Sequence, residues 1–109
     1  MTVKELVNKT SIHPLCVPDG EREIEGVYVG DLLSWVMGRA HDNQAWITIM
    51  SNVNVVAVAT LSDVPCVILA EGVTLDDEVL KTAVQKGVNV LTSSLPIDDT
   101  AVLRLDVVK

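Results

Sequence analysis

The sequence predicts a single three-layer α/β/α domain on a mostly parallel sheet, and three observations carry that prediction. From Gly26 onward, strand-like and helix-like patterns alternate with short connections between them. Pro65 to Ala70, PCVILA, is an unbroken apolar run of the kind that forms a central strand buried on both faces. Leu75 to Lys86 reads as a helix, with acids in its first turn and Lys86-Gly87 closing it. At 109 residues, 49% of them hydrophobic, residues 1–109 make one domain around one core. With two Trp, one Tyr and no Phe, that core must be aliphatic.

Each element has a local reason. Thr2-Val3-Lys4-Glu5 is a capping box that starts a short helix. Ser11 to Val17 reads as a strand, placed at a sheet edge by Pro14, and Pro18-Asp19-Gly20 then turns the chain. Gly26 to Val29 is a second strand. Asp31 caps the next helix, whose Leu32, Leu33, Val36, Met37 and Ala40 share one face. Ala45 to Met50 is a β-rich run. Asn52 to Leu61 is apolar on every side, and a crossover helix capped by Ser51 or Asn52 suits its place between two strands. Thr74 and Asp77 form an acidic capping pair for the helix over Leu75 to Lys86. Val88 to Leu91 is a further strand, and Ile97 to Val108 has helical spacing.

Composition narrows the function. A net charge of −7 argues against nucleic acid, which demands a Lys/Arg footprint, and against an anionic membrane surface. No apolar stretch is long enough to span a bilayer, and the first ten residues lack a signal-peptide pattern. Two lone cysteines, Cys16 and Cys66, complete a picture of a cytoplasmic protein.

The block GVYVGDLLSWVMGRA, followed by AWITIMSNVNVVAVATLSDVPCVILAEGV, resembles small stand-alone proteins of the DRTGG-domain family. The resemblance implies a fold like the N-terminal domain of HPr kinase/phosphorylase and a regulatory role. The family's Asp-Arg and Thr-Gly-Gly turns here read Ser51-Asn52-Val53 and Ala70-Glu71-Gly72, so the arginine that would hold an anion is replaced.

Catalytic patterns are missing. There is no G-x-x-x-x-G-K-[ST] loop, no G-x-G-x-x-G and no G-x-S-x-G, which argues against kinase, dinucleotide and hydrolase chemistry. Ser34, Ser51, Ser93 and Ser94, with His13 and His41 as bases, read as turn and cap residues. His13, Cys16 and Cys66 are a possible zinc trio, but their spacing fits small buried cysteines better, so no metal or cofactor is expected.

Two surfaces remain. Ligands of α/β sheets settle beyond the carboxyl ends of the strands. Gly30-Asp31, Ser51-Asn52 and the turn of Glu71, Gly72 and Thr74 would converge there, as a site for a small metabolite or nucleotide. Trp35 lies off the core face of its helix, and the all-apolar helix needs cover on every side. Trp35, Val55, Val56 and Val58 are therefore the expected contacts of a homodimer. The sequence thus reads as a non-catalytic regulatory or interaction domain that binds itself and a partner enzyme or small ligand, with a metabolite sensor as the alternative.

Overall fold

A computed structural model of the chain describes residues 1–31, 33–96 and 99–100. The elements run α1 (Val3–Lys9), β1 (His13–Cys16), β2 (Gly26–Val29), α2 (Leu33–Arg39), β3 (Gln44–Thr48), α3 (Asn54–Ser62), β4 (Val67–Leu69), α4 (Asp77–Lys86) and β5 (Val90–Thr92). The five strands form one sheet in the order β1-β5-β4-β3-β2. Among the described residues, strands β2 to β5 are parallel and β1 runs antiparallel, against β5. The helix expected over Ile97 to Val108 lies outside the described residues, except at Asp99 and Thr100, both helical.

Most elements form for the reasons read from the sequence. The capping box is complete: the Thr2 hydroxyl accepts from the Glu5 N–H at 3.1 Å and Glu5 Oε1 accepts from the Thr2 N–H at 3.2 Å. Pro14 sits on an edge strand beside a register shift between Pro14 and Cys16. Gly87, at φ 72°, ends α4 in the left-handed conformation that glycine adopts without strain. Helix α3 forms where β-branched residues left strand and helix both open, because the chain must cross from β3 to its parallel neighbour β4.

Alternate strand residues feed two apolar layers. Trp46, Val67, Leu69 and Val90 pack with Val36 of α2, Val55, Val56, Val58 and Ala59 of α3, and Ala83 of α4. On the opposite face, Ala45, Ile47, Ile68 and Leu91 meet Val3 and Leu6 of α1. The expected three layers are present, but among the described residues they are unequal: α2, α3 and α4 cover one face and the seven-residue α1 the other. The cause is the strand order. From β2 to β5 each strand is laid beside the last in one direction, so right-handed crossovers place every connecting helix on the same side. None of the helices described is long and apolar enough to cross a membrane.

Candidate functional site

The junction between β2 and α2 is a set of side-chain locks. A Cβ at Gly30 would lie 3.0 Å from the Tyr28 ring, so a side chain there would push the ring aside, and this close approach rather than a left-handed turn favours glycine. The Gly30 carbonyl accepts the indole N–H of Trp46 at 2.8 Å, which satisfies the one polar atom of the largest buried side chain. Asp31 was expected to cap its own helix. Its Oδ1 instead accepts from the Thr48 hydroxyl at 2.6 Å and from the Ile49 N–H at 3.0 Å, tying the end of β2 to the end of β3. Thr48 is fully buried and needs that acceptor.

The other two turns also make hydrogen bonds within the chain. Asn52 Oδ1 accepts from the Asn54 N–H at 2.9 Å and Ser51 stands exposed, but the cap position of α3 is Val53, with no side-chain cap bond, so the cap expected at Ser51 or Asn52 is corrected. The N–H groups of Glu71 and Gly72 donate to the carbonyls of Leu95 and Ser93, at 2.9 and 2.8 Å. Both residues are left-handed, at φ 61° and 72°. Thr74 is exposed, and α4 begins at Asp77 with Asp76 in the cap position, so the expected pairing of Thr74 with Asp77 is corrected. Leu75, read as the first helical residue, is buried in the turn before it.

The parallel strands do bring these three turns to one edge of the sheet. Crevices open where strand order reverses and neighbouring crossovers diverge to opposite faces, and no reversal separates β2, β3 and β4. Three hollows are lined by other residues. One of about 590 Å³ is walled by Leu15, Cys16, Leu80 and Val84 between β1 and α4. A second, of about 380 Å³, lies between α1 and β1, and a third, of about 350 Å³, between α3 and α4.

The surface expected to meet a second subunit is partly redrawn. Trp35 is 52% exposed, with the Arg39 guanidinium 3.9 Å from its ring centroid. Val55, Val56 and Val58 are buried in the chain's own core, at 0, 2 and 5% exposure, and have no surface to offer a partner. The helix is apolar on all sides, but α2, α4 and the sheet cover more of it than its length suggested. Its exposed large apolar residue is Leu61, 74% exposed, preceded by Val53 at the cap position, 52% exposed. Met37 was assigned to the core face of α2 and stands 50% exposed instead.

The possible zinc trio is split by the sheet. Cys16 packs toward the layer of α2 to α4, Cys66 lies buried in the layer of α1, and His13 is exposed. Burial pushes the Cys16 thiol up from its ordinary pKa, away from the thiolate that metals and electrophiles need. Among the described residues no three His, Cys, Asp or Glu side chains converge. Ser93 is buried, its Oγ accepting from the Thr100 hydroxyl at 3.0 Å and the Leu95 N–H at 3.2 Å, which makes it a structural hub.

No protein-family model matches the chain, and no curated protein matches it.

Proposed function

We propose that the chain is a non-catalytic regulatory or protein-interaction domain of the cytoplasm that works as a homodimer, with the fold of the HPr kinase N-terminal domain that its resemblance to DRTGG proteins implies. The observation that carries this reading is the apolar exposure of the helical layer. Trp35, Met37, Val53, Leu61 and Val84, all on or beside its helices, are each at least half exposed. Aromatic and methionine side chains are enriched where proteins meet, and charged ones are depleted there. Asn43 to Ser62, a run that includes all of α3, carries no charged residue in a chain of net charge −7.

A second reading, a sensor of a small metabolite or nucleotide, rests on Glu71. A non-glycine residue held left-handed costs on the order of 1–3 kcal/mol, and such strain gathers at functional turns. Light scattering on a size-exclusion column tests the first reading, which expects the mass of two chains; the mass of one chain rejects it. A thermal-shift panel of nucleotides and acyl phosphates tests the second, because a ligand of the native state raises the midpoint. A rise that Glu71→Ala abolishes would favour the sensor.

A further inference from the structure

The two edges of the sheet are built differently, and the difference points to a partner. Strand β1 ends one side with a proline and a register shift, both devices that discourage another strand from pairing. Strand β2 ends the other side with GVYV, which has no proline, no lysine and no charge. Its register on β3 fixes which backbone groups face outward. Gly26 N–H donates to Asn43 and Gly30 N–H to Ile47, so the even-numbered residues hydrogen-bond inward. Val27 and Val29 therefore turn their N–H and C=O groups away from the sheet, and among the described residues no strand lies beyond them.

We propose that this edge is the homodimer interface: β2 of one copy pairs antiparallel with β2 of a second copy, making one ten-stranded sheet across a two-fold axis. This rests on the homodimer reading above and assigns its surface. The outward groups ask for extended backbone rather than a small molecule. With Tyr28 opposite Tyr28 of the second copy, Val27 faces Val29 of the second copy, a β-branched pair that packs well, and the same bonds recur on each side of the axis. A two-fold perpendicular to the sheet keeps both helical layers on one face. Helix α2 follows β2 directly and packs on α3 on its inner side, so the pairing brings α2 of the two copies side by side. The exposed Trp35 and Met37 are on that helix. A foreign peptide on so short an edge would leave them uncovered, whereas a second copy brings its own α2.

Proline at Val29 removes an outward N–H and no bond within the chain, and lysine there places a charge on the edge. The experiment measures mass by light scattering for the wild type, Val29→Pro, Val29→Lys and Leu61→Glu, with thermal melts as the check on folding. The expected result is a dimer for the wild type and Leu61→Glu, and a folded monomer for both Val29 variants. Amide exchange at Val27 and Val29 should also slow at least tenfold as wild-type concentration is raised through the dimer transition. A wild-type dimer that persists in both Val29 variants, or that only Leu61→Glu dissociates, overturns the edge assignment and leaves the homodimer standing. A wild type with the mass of one chain overturns both.

Discussion

Asn89 is buried to 1% exposure, and its side chain serves three backbone groups. Its Nδ2 donates to the carbonyls of Asp19 and Pro65 at 2.7 and 2.9 Å, and its Oδ1 accepts from the Asp19 N–H at 2.9 Å. One amide thus pins the turn after β1 to the starts of β4 and β5. Asn89→Ala is expected to destabilise the protein by about 2–4 kcal/mol, because each orphaned buried partner adds its own desolvation cost. Urea unfolding measures it. No local rule could have found this residue: Lys86-Gly87-Val88-Asn89 reads as a helix end and a strand start, and its partners are 70 and 24 positions away. Asp31 was misread for the same reason. Its type and place fitted a cap, but its acceptor serves Thr48 and Ile49, which only the pairing of β2 with β3 brings near.

At the scale of single elements, local rules succeeded wherever the chemistry was itself local. The capping box of α1, the glycine end of α4 and the edge position of Pro14 each depend on neighbours in sequence. The box also makes a prediction about pH. The Thr2 backbone N–H, then the Thr2 hydroxyl, hold the Glu5 carboxyl below its ordinary pKa. A depressed native value means stability that is present above the unfolded carboxylate range, about 4.3, and is lost as pH falls through the lower native value. The stability gap between wild type and Glu5→Gln should therefore be constant near neutral pH and close as the solution is acidified below about pH 4. A gap that persists at low pH would show that the carboxylate charge is not what the helix uses. Helix α3 shows where periodicity failed. An all-apolar wheel says that cover is needed, but not that the chain itself supplies it over Val55, Val56 and Val58.

At the scale of the whole molecule, the class of fold was legible because alternation and short connections leave few alternatives. The strand order was not legible, and it decides the site. Among the described residues the sheet has no reversal between β2 and β4, so the three turns share an edge but not the reversal at which crevices open. The net charge of −7 bears on assembly in turn. Two copies repel one another, and salt shortens the reach of that repulsion from about 10 Å at 0.1 M to about 3 Å at 1 M. Self-association through an uncharged strand should tighten as sodium chloride is raised, measured by sedimentation equilibrium. Loosening with salt would instead indicate an interface built on opposite charges.

The antiparallel β1 carries a consequence for how the chain is made. Its sheet partner is β5, more than seventy residues later, and the turn that follows β1 is fastened by Asn89. During synthesis β1 therefore waits unpaired while β2, β3 and β4 emerge and associate through nearer crossovers. Closing such a distant pairing is slow, and an unpaired strand is exposed to wrong partners meanwhile. Pro14 and the shifted register, which blunt β1 in the finished sheet, guard the nascent chain through that interval as well.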